Sequence, residues 1–88
     1  MAGIPISTTS TGWIDIYAAT GLAVGTNISI QNQGRSELIV DVYSSIAPAS
    51  TIYAGYRVKV GEERIVDAGV VGCFARCVDG TQAYIQEL

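Results

Sequence analysis

The stretch Asn27-Ile28-Ser29-Ile30-Gln31-Asn32-Gln33-Gly34-Arg35-Ser36-Glu37-Leu38-Ile39-Val40-Asp41-Val42-Tyr43 decides the fold class. Side chains of a strand point alternately to its two faces. Ile28 and Ile30 therefore share one face, with Ser29 and Gln31 on the other. After Gln33-Gly34-Arg35-Ser36, where glycine permits a tight turn, the alternation resumes. Leu38, Val40 and Val42 lie on one face; Ile39, Asp41 and Tyr43 lie on the other. The two runs predict an antiparallel hairpin. The second face of the returning strand is partly apolar, so a cover over it is expected.

The same pattern continues on both sides. Upstream, Trp13-Ile14-Asp15-Ile16-Tyr17 is dense in β-formers. Ala18 to Gly25 reads as a loop or a short bent strand, with poor prospects for a helix. Downstream, Ser44 to Ser50 with Pro48 is a connection. Thr51 to Val60 places Tyr56, Val58 and Val60 opposite Arg57 and Lys59. Gly61-Glu62 turns the chain, and Glu63 to Asp67 is a short strand. Gly72 to Val78 sets Cys73, Ala75 and Cys77 against Phe74, Arg76 and Val78. Asp79-Gly80 carries a hairpin signal, and Thr81 to Leu88 is the last strand. About seven short strands with turns between them predict an all-β domain: a small antiparallel β-sandwich or a jelly-roll-like barrel. Residues 13–88 form its single domain. Residues 1–12 read as an extended N-terminal arm, free or laid on a neighbour, in which Ile4 and Ile6 alternate around Pro5 in the manner of an edge strand.

Composition narrows the function classes. The chain has 88 residues, of which 49% are hydrophobic and 15% charged. A chain this short buries only roughly 60–65% of its unfolded surface, so assembly is an expected source of extra stability. Five basic residues against eight acidic ones give a net charge of −3. The five are scattered, with no basic stripe to neutralise phosphates, so no nucleic-acid partner is expected. The opening residues lack a basic and a long apolar region, and no run is long enough to span a bilayer. No membrane partner is expected, and synthesis in a cytoplasm is.

Chemistry is sparse. There is no histidine, which removes the commonest general base. Glu62 and Glu63 read as solvated turn charges. Asp15 and Asp41 sit within strands and could pair with an arginine across an interface. Gly21-Leu-Ala-Val-Gly25 lacks the Lys-Ser/Thr and the helix of a phosphate loop. Cys73 and Cys77 on one strand would stand about 13 Å apart, beyond the roughly 7 Å that a disulfide allows; they read as small buried hydrophobes. A zinc site would need further ligands. No catalytic, cofactor or metal residues are expected, and the chain is read as non-enzymatic. Trp13, Phe74 and the tyrosines are divided among core, interface and ligand roles.

The run Gly12-Trp13-Ile14-Asp15-Ile16-Tyr17, then Ile28-Ser-Ile-Gln-Asn-Gln-Gly34, resembles small structural proteins of tailed bacteriophages. So do Val42-Tyr-Ser-Ser-Ile-Ala-Pro48, Gly55, Val60-Gly-Glu62, Gly72-Cys-Phe-Ala-Arg76 and Gly80-Thr-Gln-Ala83. The likeness covers about three-quarters of the chain and rests on turn and strand signatures. It implies a virion component made in the host cytoplasm: a capsid decoration (cement) protein or a head–tail or tail accessory protein. Homo-oligomers and other virion proteins, capsid or tail, are the implied partners. The expected contact residues are Ile4, Ile6, Trp13, Tyr17 and Tyr43, with strand addition by the arm at a neighbour's exposed edge. The alternative is a carbohydrate- or receptor-binding module of a tail fibre or adhesin, using exposed tyrosines to stack on a glycan.

Overall fold

A computed structural model of the chain describes residues 4–8, 12–49, 51, 55–77 and 81–88. Its strands, in chain order, are β1 (Ile4–Thr8), β2 (Ile14–Asp15), β3 (Ile28–Asn32), β4 (Leu38–Asp41), β5 (Tyr56–Val58), β6 (Glu63–Val66), β7 (Phe74–Cys77) and β8 (Thr81–Glu87). One short helix, α1 (Ile16–Thr20), follows β2.

The strands form two four-stranded sheets, β1-β8-β3-β6 and β2-β7-β4-β5. All pairs are antiparallel. The first strand pairs with the last, β2 with β7, β3 with β6 and β4 with β5. This is a long hairpin folded over on itself, the double Greek key of a jelly roll. The all-β sandwich expected from the alternation is therefore the fold, in its jelly-roll form and with eight strands among the described residues rather than seven.

The core lies between the sheets. Ile28, Ile30 and Ile85 from one sheet meet Leu38, Val40, Val58 and Ala75 from the other, together with Cys73 just before β7. The inward faces are the ones the alternation assigned. Each large aliphatic side chain removed from water contributes about 1.5–3 kcal/mol, and Ile28, Ile30, Leu38 and Ile85 show no exposure at all.

The expected pairings need correction. Strands β3 and β4 do not form a hairpin; they belong to opposite sheets and face each other across the core. Period-2 alternation specifies which face is buried, not which strand lies alongside. Strands β7 and β8 likewise sit in different sheets, so they do not form the expected hairpin; Asp79-Gly80 lies outside the described residues.

Of the expected N-terminal arm, the stretch Ile4–Thr8 forms strand β1, and this strand belongs to the domain. Ile4 pairs with Ile85 and Thr8 with Thr81 of the same chain. Ile6 enters the core. Pro5 is tolerated because β1 is an outer strand, where a missing N–H breaks no ladder on its free side. The sandwich therefore takes in Ile4–Thr8 as well as the region from residue 13 onward.

Helix α1 stands where a loop or bent strand was expected. Asp15 caps its start by accepting the Ala18 N–H at 3.2 Å. Gly21 ends it at φ 76°, donating its N–H to the Tyr17 carbonyl, the left-handed cap that glycine adopts without a Cβ clash.

The outer face of the β2-β7-β4-β5 sheet is covered, as its apolar content implied. Ile39, Phe74 and Arg76 on that face are all buried. Residue Gly55 packs on Ile39 and the Val40 carbonyl so closely that a Cβ would lie 2.8 Å from each. Gly55, just before β5, thus lies close over its own sheet.

Candidate functional site

Three described stretches of connecting chain lie at one end of the sandwich: residues 21–27, 42–49 and 67–73. Gly69 donates to the Gly25 carbonyl at 2.9 Å and Ile16 to the Cys73 carbonyl at 2.9 Å. Gly72 lies against the Ser44 carbonyl, with no room for a Cβ. The C-terminal Leu88 donates to Asn27 at the same end. Here the chain leaves large apolar side chains in water. Tyr43 is 90% exposed, Ile46 78% and Val24 61%, and Val71 and Leu88 are more than half exposed.

The backbone aims Tyr43 outward. Asp41 ends β4, and one of its carboxylate oxygens accepts the Tyr43 N–H at 2.8 Å. The other accepts the Ser44 hydroxyl at 3.0 Å. This side-chain turn bends the chain at Val42, which packs against the core, and leaves the Tyr43 ring in solvent.

Beside Tyr43 the flank between the outer strands β5 and β6 is closed by a stacked pair. Tyr56 and Arg64 hold the same strand faces as the core residues Val58 and Val66. At the rim of the sandwich neither enters the core; the Arg64 guanidinium lies 3.5 Å from the centre of the Tyr56 ring. A cation over an aromatic face is held electrostatically, and its stem covers apolar surface. Among the described residues, no carboxylate lies within ion-pair distance of Arg64. A cleft of about 430 Å³ opens between Asp41, Tyr43, Ser44, Gly55, Tyr56 and Arg64. A smaller one of about 230 Å³, also lined by Tyr43 and Arg64, reaches Asp67 and Val70.

Of the five residues expected at a contact, only Tyr43 belongs to this end as an open side chain. Ile6 is in the core and Ile4 packs against it. Tyr17 is buried, its hydroxyl donating to the Thr26 carbonyl at 2.7 Å. Burial, and next the neighbouring Cys73, raise its pKa. Trp13 is half-buried, with the Arg76 guanidinium 5.6 Å from its ring centre. Sequence reading did not single out Arg64, Asp41 or Tyr56 as a group. They lie on different strands, and no spacing rule connects them.

The other candidate groups have local roles. Glu62 accepts the Lys59 N–H at 3.1 Å across its turn. Glu37 pairs with Arg57 on the surface. Cys73 and Cys77 are free thiols buried in the sandwich, and burial pushes the Cys73 thiol up to about 12. No protein-family model matches the chain, and no curated protein or solved structure matches it.

Proposed function

We propose that this chain is a non-enzymatic structural component of a tailed-phage particle, a capsid decoration or head–tail accessory protein that self-associates and docks on the particle through the loop end of its sandwich. The observation that carries the reading is the gathering of Val24, Tyr43, Ile46, Val71 and Leu88 as exposed apolar side chains on that end. Several large apolar side chains left in water at one end of a small domain support an interaction site there. The jelly-roll topology supports it, because capsid and lectin domains are built on this architecture; fold alone does not assign a role.

Light scattering on the purified protein, with co-sedimentation on assembled capsids and tails, tests the reading. The expected result is an oligomer or particle-bound protein, weakened by Ile46→Ser and Val71→Ser, which leave the core untouched. A strict monomer that binds neither capsids nor tails would falsify it. A second reading, a carbohydrate-binding module of a tail fibre or adhesin, is favoured by one observation: the cleft beside Tyr43 combines exposed aromatic faces with charged hydrogen-bonding groups.

A further inference from the structure

The cleft beside Tyr43 has a mixed chemistry that limits what can fill it. One wall is the ring of Tyr43, which gains most by being covered because it is almost wholly in water. The cleft is also lined by the Tyr56 ring with the Arg64 guanidinium stacked on it. Stacking keeps the guanidinium flat and leaves its N–H edge free to donate. Asp41, another lining residue, is held by the Tyr43 N–H and the Ser44 hydroxyl. Each carboxylate oxygen retains acceptor capacity beyond these bonds. The donor and the acceptor are thus both fixed before any ligand arrives, which lowers the entropic cost of binding.

A purely apolar occupant would strip water from Asp41 and Arg64 without replacing their hydrogen bonds, at a cost that burial does not offset. An anionic occupant would meet Arg64 together with Asp41 in this cleft, and Asp67 lines the adjoining cleft that Arg64 shares, two negative charges against one positive. A neutral ring with an apolar C–H face and hydroxyl groups at its edge satisfies all of these groups together. The volume, about 430 Å³, falls at the small end of the roughly 300–1,000 Å³ range of ligand sites.

We propose that this cleft is a subsite for a neutral pyranose unit of a glycan. The sugar's C–H face packs on Tyr43, Arg64 donates to its hydroxyls, and Asp41 accepts from them; Tyr56 positions Arg64. The inference rests on the second functional reading and names its ligand class.

The test is an amide chemical-shift titration of the purified chain with the methyl glycosides of glucose, galactose and mannose, and with glucuronate as the anionic comparison, taken to about 50 mM because single-sugar affinities of millimolar order are expected. The expected result is a saturable shift at Tyr43, Ser44, Tyr56 and Arg64. Tyr43→Ala and Arg64→Met should each weaken binding roughly tenfold, the scale of truncating an anchor side chain, and Tyr43→Phe should retain it. Thermal melts confirm that each variant is folded. No shift with any of the three sugars, shifts that survive Tyr43→Ala, or stronger binding of glucuronate than of glucose would overturn the proposal. Binding on a broad glycan array that survives Tyr43→Ala overturns this subsite and leaves the glycan-binding reading standing. Particle docking without any glycan binding overturns both.

Discussion

Replacing Asn32 by alanine removes a side chain that ties the two sheets together at the end opposite the cleft. Asn32 is the last residue of β3 and is 1% exposed. Its amide nitrogen donates to the Val58 carbonyl of the other sheet at 2.9 Å and to the Ser36 carbonyl at 2.8 Å. Its amide oxygen accepts the Gly34 N–H at 3.0 Å. The Val58 bond is buried, so alanine leaves a carbonyl without a partner at about 1–3 kcal/mol. Water can reach the other two groups, which then lose about 0.5–1 kcal/mol each. The sum is about 2–5 kcal/mol, a large share of the roughly 5–10 kcal/mol expected for a domain this small. Urea unfolding followed by the fluorescence of Trp13, the single tryptophan, measures it. With a slope near 1 kcal/mol per molar for such a chain, the midpoint should fall by about 2 M or more. Asn32→Asp sharpens the test. It retains the acceptor for Gly34 but turns a carboxylate oxygen toward two carbonyl oxygens. That raises its folded-state pKa above the unfolded value near 4. The aspartate variant should therefore be far less stable than wild type at pH 7 and recover as the pH falls through its raised pKa. A loss below about 1 kcal/mol for alanine, or a wild-type midpoint for aspartate at pH 7, refutes the assignment.

Deleting residues 1–8 should lower the melting temperature sharply or prevent folding, because it removes the outer strand β1 and the burial of Ile6, worth about 2–3 kcal/mol by itself; an unchanged melt would show that the segment is a dispensable arm. Cys73 should resist a soluble thiol reagent in the native protein and react only on unfolding, followed by absorbance. Its folded-state pKa, pushed up to about 12, lies above the unfolded value near 8.5. Stability should be intact below about pH 8 and fall as pH rises toward 12, by up to about 1.4 kcal/mol per unit, with Tyr17 adding to the slope; denaturant midpoints across that range measure it. Gly72→Ala should destabilise by about 1–3 kcal/mol, since its Cβ would press on the Ser44 carbonyl and sit 3.2 Å from the Phe74 ring; an unchanged urea midpoint would mean that the loop end adjusts freely.

Much of the architecture was legible because alternation is a local property. Ile28 with Ile30, Leu38 with Val40, and Cys73 with Ala75 were each assigned to one face, and each pair is in the core. The cover over Ile39 followed from an apolar outward position. Helix α1 was missed although both its caps, Asp15 and Gly21, stand in the sequence. The density of β-formers in Trp13-Ile14-Asp15-Ile16-Tyr17 outweighed them, and tertiary context overrode propensity. Of the two tyrosines expected at a contact, Tyr17 turns inward at the helix and is buried, while Tyr43 stands in solvent.

The sequence by itself determined that this chain is a small all-β domain, where its turns fall, and which face of each main strand is buried. Those properties depend on neighbours one to four residues away, through the pleat and the backbone freedom of glycine. Only the tertiary structure decided which strands pair. Strands β3 and β4 are joined by a short turn yet lie in opposite sheets, because the jelly roll pairs first with last and second with seventh. That same closure brings Asp41 and Tyr43 beside Tyr56 and Arg64. A side-chain cluster drawn from three strands has no local signature, so the candidate binding site came into view only when the two sheets were packed together.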